Sequence, residues 1–428
     1  MIDAASRCCE TESLMTDTPS AEDAAAPAPT PAPAVGDIVT VEVGNPVAGG
    51  QCIARLDGRV IFVRDGIPGE LVKVVVTGSG KRGAFLRGDV CEVLDPSPHR
   101  VQPPCSLADE CGGCDWQHVD LAFQRELKAQ VIADALRRTG GIEDIADQPL
   151  ATSTAVRALD DGDGLHWRTR MRYAIDENGV VGLRAARSHR IIAAADCPLA
   201  VTQISSAVPP TVAQTGNGRE ALIAAYSSTG ELALVGVNAD SVITERVRER
   251  DFRVAANGFW QVHPQAPETL VSTVLEFASP QHGEKILDLY SGVGLFAAFL
   301  AEAVGVTGRV DAVEADRTAS DLARKNLADL AWVHHHRAPV EKWLAAGHRS
   351  HADIVVLDPP RTGAGRDVVT AVSRRKPRAL VYVACDPVSL ARDTKFLAAL
   401  GYQITKLRAL DLFPMTKHVE SVALFERS

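Results

Sequence analysis

The chain has 428 residues, 46% of them hydrophobic and 23% charged, with a formal net charge of -9 at pH 7. That length suits two or three globular domains. There is no apolar run of about 18 residues or more, and the N-terminus lacks the basic-then-apolar order of a signal peptide, so neither a membrane span nor secretion is expected and a cytoplasmic location is. The acidity is uneven: residues 1–34 carry six acids against one base, Arg7, leaving four net negative charges on everything that follows. Local basic surfaces that attract phosphate therefore stay open despite the acidic total.

Residues 1–34 are rich in Ala, Pro, Asp, Glu and Ser and include the run APAPTPAPA; they cannot build a packed core and are expected to be disordered. Over 35–95 the segments DIVTVEV, GRVIFVRD, GELVKVVV and GDVCEVLD are short, β-rich and separated by Gly turns. That spacing predicts a small antiparallel, OB-like barrel. Lys81, Arg82 and Arg87 fall on or near one of its loops, a placement that suits contact with the phosphates of a nucleic acid.

A central α+β region is expected over 96–250. It opens on a cysteine-rich knuckle, Cys105-x5-Cys111-Gly-Gly-Cys114. The chain has nine cysteines, and in a reducing compartment such a cluster points to metal binding rather than disulfides. A helix follows from about Leu121 to Arg138, ended by Gly140 and Gly141. In HWRTRMRYAI, His166, Arg168, Arg170 and Arg172 alternate with Trp167, Thr169, Met171 and Tyr173, which predicts a strand with one basic face suited to a nucleic-acid backbone.

From 251 to 428 apolar runs such as KILDLY, RVDAVE, DIVVLD and ALVYVAC alternate with helical stretches, the signature of a doubly wound, Rossmann-like parallel sheet. Its loops carry the chemistry. Asp288-Leu-Tyr-Ser-Gly-Val-Gly294 follows a strand and precedes a helix, with Gly292 and Gly294 allowing close approach of a ligand. Glu314 ends the next strand roughly twenty positions later, a spacing that suits a carboxylate on ribose hydroxyls. A full GxGxxG is missing, which argues against a pyrophosphate cofactor and for S-adenosylmethionine. Asp358-Pro-Pro-Arg361 forms a rigid loop at another strand end. An aromatic after the prolines would suggest exocyclic amine methylation; here Arg361 stands in its place.

Cys385 ends the strand ALVYVAC and would face the same crevice as Asp358. Such a cysteine is a candidate nucleophile. Near the C-terminus, Leu412-Phe-Pro-Met-Thr-Lys-His418-Val-Glu420 supplies a candidate base, Glu420, and a candidate orienting group, His418. Phe259-Trp-Gln-Val-His263 reads as an aromatic core cluster in which Gln261 is free to bind cofactor. His334-His335-His336 is not read as a metal site, because adjacent residues rarely converge on one ion.

Taken in order, FWQVH, DLYSGVG, LDPPR, YVACDP and LFPMTKHVES resemble the RNA 5-methyluridine methyltransferases, and GQCIARLDGRVIFVRDGIPGE resembles the TRAM domain attached to such enzymes, including those acting on 23S ribosomal RNA. The likeness runs from about residue 35 to 428. It implies S-adenosylmethionine-dependent methylation of uridine carbon 5, with Cys385 as nucleophile, Glu420 as base, and Gln261, Tyr290, Glu314 and Asp358 lining the cofactor pocket. It also implies a fourth cysteine ligand, Cys197 in Asp196-Cys-Pro, and a 4Fe-4S cluster on Cys105, Cys111, Cys114 and Cys197. Spacing alone suits zinc equally well. Tyr290-Ser291, His263 and Leu295 depart from the Phe-Cys, Asn and Asn common in the family. The partner implied is structured RNA, ribosomal ahead of transfer RNA, and the chain is expected to work as a monomer. The competing readings are a non-catalytic RNA-binding protein on a methyltransferase fold and an iron–sulfur redox enzyme; the second lacks any flavin or nicotinamide signature.

Overall fold

The computed structural model describes residues 33–212, 221–237, 239–347 and 351–427. The tail expected over 1–34 lies almost wholly outside them. Among the described residues no helix is long and apolar enough to cross a membrane.

Five strands, β1 (Ile38–Pro46), β2 (Cys52–Leu56), β3 (Arg59–Arg64), β4 (Leu71–Ser79) and β5 (Phe85–Asp95), close a barrel in the order β1-β2-β3-β5-β4. Alternation turns Val41, Val43, Ala54, Ile61, Val63, Val72, Val74 and Leu86 into its core. β2 was not legible in the sequence: five residues, CIARL, carry too short a pattern. Arg87 lies inside β5 rather than in a loop, with its guanidinium over the Phe85 ring at 4.9 Å.

Helix α1 (Leu121–Ala135) begins where the Asp120 carboxylate accepts the Phe123 amide at 2.9 Å. It runs on as a wider turn to Gly140 and stops at Gly141, whose φ of 71° is left-handed. A five-stranded antiparallel sheet follows, in the order Ile191–Ala193, Val181–Arg184, Arg170–Ile175, Ala221–Tyr226, Leu232–Gly236. Trp167, Met171, Tyr173, Leu199 and Ile204 pack on one side of it, with Cys197 among them.

The expected basic strand face is not what forms. Arg172 is exposed, but Arg170 is only 8% exposed. Its guanidinium donates to the carbonyls of Ala255, Ala256 and Gly258 at 3.1–3.3 Å and pairs with buried Glu245 at 3.3 Å. A hairpin, Val242–Val247 with Arg250–Ala255, supplies these partners and covers that part of the sheet. Period-two alternation showed that the arginines share a face; it did not show that the part of that face at Arg170 is covered while Arg172 stays exposed.

The C-terminal part is an eight-stranded sheet in the order Val333–Arg337, Arg309–Glu314, Lys285–Leu289, Ile354–Leu357, Ala379–Ala384, Glu420–Arg427, Tyr402–Leu410, Val156–Arg157. The first five strands are parallel; the inner four are largely buried, hence their apolar runs, whereas the edge strand Val333–Arg337, with three histidines, is only partly buried. One face is covered by Ala266–Ala278, Leu295–Val304 and the 242–255 hairpin. The other is covered by α1, Gly365–Ser373 and Pro387–Ala398. Two pieces of the region expected to be central thus join this sheet: α1 by packing and Val156–Arg157 by pairing beside Ala409 and Leu410. The border expected at residue 250 falls inside the hairpin.

Candidate active site

In the parallel sheet, Lys285–Leu289 has Arg309–Glu314 on one side and Ile354–Leu357 on the other. The strand order reverses there, so the loops leaving the two strands part and open a crevice. The first loop, Tyr290–Gly294, is tied back by the Tyr290 and Ser291 amides, both donating to the Val313 carbonyl. Tyr290 and Gly294 have φ of 67° and 95°. A Cβ at Gly294 would stand 2.8 Å from Leu327, so glycine is required there on both counts. Glu314, at the end of the adjacent strand, accepts the Gly292 amide at 2.9 Å and the Asp316 amide at 2.6 Å. Those bonds fix the carboxylate while leaving lone pairs for ribose hydroxyls. The Tyr290 hydroxyl donates to Glu341 at 3.3 Å.

One residue of the strand that leads into this loop had no role of its own in the sequence reading. Asp288 is fully buried, and neither of its carboxyl oxygens has a hydrogen-bond partner among the described residues. Burial and then the neighbouring Asp358 push its pKa up to about 8, against a small opposing effect of the Ala297 amide. A buried acid with free oxygens beside a cofactor loop invites a cation. Its place at the start of DLYSGVG was the available signal.

Asp358 stands half-buried at the end of Ile354–Leu357; burial and then Glu314 raise its pKa to about 7. The Asp-Pro-Pro-Arg loop beyond it is pinned by buried Asp393, which accepts the Ala364 amide at 2.8 Å, the Gly365 amide at 3.1 Å and the Tyr382 hydroxyl at 2.8 Å.

Cys385 follows the strand Ala379–Ala384 directly. The helix after it, Pro387–Ala398, starts on an Asp386 cap that accepts the Ser389 amide at 2.7 Å, so the cysteine is held between two rigid elements. Glu420 opens the antiparallel neighbour strand. Ser421 pairs with Ala384, which makes Glu420 and Cys385 the next positions in register. Electrostatics agree with that placement: burial, then Glu420, then Asp358 push the Cys385 thiol up to about 12, with Arg361 opposing them. Burial and Asp358 hold the Glu420 carboxyl well above the usual range. His418 lies 3.5 Å from Arg361, and burial with that cation lowers its pKa to about 4. The crevice therefore gathers Asp288, Glu314, Asp358, Cys385 and Glu420, with Arg361 as a facing cation.

Gln261 is buried on the segment anchored by Arg170; the Thr169 amide and hydroxyl both donate to its neighbour Val262 at 2.9 Å. The aromatic cluster expected here divides: Trp260 is buried, whereas Phe259 is 77% exposed. His263 is buried and stacks on Trp167.

The four cysteines read as ligands are neighbours. The thiol of Cys114 is pushed up to about 12 by burial, with Cys197, Cys111 and Cys105 adding to the effect. Burial raises Cys197 as well, and the Leu199 and Ala200 amides, which favour a thiolate, oppose it. A cavity of about 550 Å³ opens beside Cys105 and Cys114, between the knuckle and Asp65 of the barrel. No group of three or more His, Cys, Asp or Glu among the described residues is arranged to hold a metal ion as it stands.

Known proteins match the same regions. A TRAM domain profile matches residues 32–91, a tRNA (uracil-5-)-methyltransferase profile residues 347–428, and a methyltransferase small domain profile residues 265–380. An uncharacterized RNA methyltransferase of Streptomyces coelicolor is 39% identical over 94% of this chain and 95% of its own length. A 23S rRNA (uracil(1939)-C(5))-methyltransferase of Pseudomonas putida is 31% identical over 93% of this chain and 95% of its own. The Pyrococcus abyssi tRNA (uracil-54, C5)-methyltransferase, solved with S-adenosyl-L-homocysteine, superposes with a TM-score of 0.67 at 25% identity, covering 90% of this chain and 99% of that one. On these matches the chain belongs to the TRAM-bearing RNA uracil-5-methyltransferases.

Proposed function

We propose that the protein methylates carbon 5 of a uridine in 23S ribosomal RNA, with S-adenosylmethionine as donor and a covalent link between Cys385 and uracil carbon 6. The observation that carries the reading is the register of Cys385 beside Glu420 at the strand ends, with Asp358 within electrostatic reach of both. The residues suit the donor: Glu314 for the ribose, Gln261 and Tyr290 along the pocket, and the unpartnered Asp288 with Asp358 as negative charge for a cationic ligand. When bound, S-adenosylmethionine supplies an electrophilic methyl group.

Carbon 5 of uracil is too weak a nucleophile to take that methyl group unaided. Attack of the Cys385 thiolate on carbon 6 forms a C–S bond and moves the ring π electrons onto carbon 5 and the carbonyl oxygen. Carbon 5 then takes the methyl group as the donor's sulfur–methyl bond breaks with its electron pair staying on sulfur, so that S-adenosylhomocysteine is left. Glu420, as carboxylate, removes the carbon 5 proton; the electron pair re-forms the C5=C6 bond, the C–S bond breaks, and the sulfur leaves as thiolate. Arg361 is the cation that favours the thiolate against two acids. The low dielectric around Glu420 makes it a stronger base once ionised.

Cys105, Cys111, Cys114 and Cys197 suit a 4Fe-4S cluster: four thiols that share charge effects, backbone amides aimed at Cys197, and an adjoining cavity. The cluster's part is structural, since methyl transfer involves no electron transfer. Anaerobically purified protein is expected to contain iron and acid-labile sulfide; stoichiometric zinc in their place overturns the assignment.

The ribosomal target rests on the Pseudomonas relative; the archaeal structure acts on tRNA, which makes tRNA the second reading. Glu420→Gln with 23S rRNA fragments is expected to accumulate a methylated, nuclease-sensitive protein–RNA adduct, its release slowed about 10²–10⁴-fold. The absence of any adduct would remove Glu420 from the mechanism. Adduct on tRNA alone selects the second reading, and failure to bind S-adenosylmethionine selects a non-catalytic RNA-binding protein.

A further inference from the structure

The segment between Asp411 and Glu420 has little regular structure of its own: only its first bonds, at Leu410, and its last, at Glu420, belong to the sheet. Met415, in its middle, has a φ of 65°, a left-handed backbone that non-glycine residues adopt only uncommonly and at some cost. Support for it comes from elsewhere in the chain. Gln124 of α1 is fully buried; its Oε1 accepts the Met415 amide at 2.8 Å, and its Nε2 donates to the carbonyls of Trp116 and Val119 at 3.0 and 2.9 Å. The Asp115 and Trp116 amides, immediately after Cys114, both donate to the Met415 carbonyl, at 3.2 and 3.1 Å. The Asp115 carboxylate accepts the Lys417 amide at 3.2 Å and pairs with the Lys417 ammonium at 3.3 Å. One turn further along α1, Lys128 is wholly buried and donates to Asp411 at 2.6 Å and to the Phe413 carbonyl at 3.0 Å.

Both the amide and the carbonyl of Met415 are thus engaged by residues more than 290 positions away in sequence. Buried side chains that use both ends of an amide, or a fully desolvated ammonium, hold a backbone within a few tenths of an ångström, because any shift leaves a polar group unpaired. The segment so held leads through His418 directly into Glu420. A base acts only within hydrogen-bond reach of its proton, and misplacement by about 1 Å costs on the order of 100-fold.

We infer that Gln124 and Asp115 are positioning residues for the reaction: with Lys128 they fix the Asp411–Val419 segment so that Glu420 stands ready to take the carbon 5 proton, which makes the cysteine knuckle and α1 part of the catalytic scaffold. This rests on Glu420 being the base, so its test must separate the two ideas.

The measurement is single-turnover reaction of full-length Gln124→Ala and Asp115→Asn with S-adenosylmethionine and the uridine substrate RNA, following adduct formation and adduct release separately on denaturing gels. Glu420→Gln runs alongside. The expected result is adduct formation within about threefold of wild type, release slowed roughly 10- to 100-fold, and unchanged affinity for S-adenosylmethionine. General destabilisation would lower formation and release together and leave their ratio alone. An unchanged ratio of release to formation in both variants, at whatever overall rate, overturns the inference if Glu420→Gln traps adduct. If Glu420→Gln traps none, the role of Glu420 fails first and the inference falls with it. Should Gln124→Ala fail to fold, the half-buried Asp115→Asn carries the same measurement.

Discussion

Arg170 was expected on a nucleic-acid-facing strand and is instead an internal brace, which Arg170→Met tests directly. The substitution keeps an apolar stem of similar length and removes the guanidinium. It leaves Glu245, 4% exposed, as a buried charge whose remaining partner is the Ser228 amide at 2.9 Å. It also strips one donor from the carbonyls of Ala255, Ala256 and Gly258. Breaking a buried pair by removing one partner costs about 3–5 kcal/mol. Carbonyls left unpaired cost about 1–3 kcal/mol each where water cannot reach them, but the Ala255 carbonyl keeps the Gly258 amide at 2.9 Å, Gly258 is exposed and these terms do not add, so the expected loss is about 4 kcal/mol. Urea unfolding followed by tryptophan fluorescence reads it, because Trp167 and Trp260 are both buried and close in sequence to the two ends of the brace. Arg172→Met, at an exposed position on the same strand, is expected to change stability by less than about 0.5 kcal/mol and to weaken RNA binding with a shallower salt dependence. Glu245→Met added to Arg170→Met should recover part of the loss, since the orphaned charge goes with it. If Arg170→Met is as stable as wild type and loses RNA affinity as Arg172→Met does, the internal-brace account is wrong.

Cys385→Ala is expected to lower methylation about 10³-fold or more while binding of S-adenosylmethionine, measured by calorimetry, stays within about twofold; retention of turnover would dismiss the covalent route. Donor affinity should also depend on pH. Asp288 and Asp358 have pKa values raised to about 8 and 7. A carboxyl whose folded pKa exceeds its unfolded value binds more protons when folded, so its contribution to stability is complete below about pH 4 and declines as pH rises through 7 and 8. A cationic ligand favours the ionised form, so binding should tighten by up to about tenfold per pH unit from 6 to 8, with proton release, and level off above that. A flat profile between pH 6 and 9 would mean that neither acid senses the donor.

The parallel half of the fold was legible because buried strands announce themselves as apolar runs and their loops carry Gly, Pro and acids at strand ends. DLYSGVG, Glu314, Asp358 and Cys385 all fall at the crevice because the topology leaves such residues no other place. Glu420 was legible as a candidate, but its register against Cys385 was not, since antiparallel pairing across 35 residues leaves no local pattern. Val156–Arg157 is too short to carry one. Phe259 and Arg170 were misjudged for the same reason: periodicity orders residues by face, and only tertiary packing decides which face meets solvent. Gln124 and Lys128 had no role in the sequence reading; both are fully buried because the 411–420 segment lies over them, a long-range contact that leaves no local pattern.

Strand Tyr402–Leu410 has a further property. It pairs along nearly its whole length with Glu420–Arg427, but on its other side Val156–Arg157 meets only Ala409 and Leu410. Over the seven residues before these, no strand pairs with that side among the described residues, although Asp144–Ile145 and Leu150–Ser153 pack near the strand; an edge left unpaired is a hazard for aggregation. Lys406 and Arg408 occupy that stretch, with their charged ends over the Phe277 ring at 5.6 and 5.2 Å. They shield an apolar ring; Glu276 holds the Arg408 guanidinium at 2.8 Å, which leaves the Lys406 ammonium as the charge that a second strand of this kind would have to approach. The sheet that assembles the site is thereby kept from spreading into its neighbours.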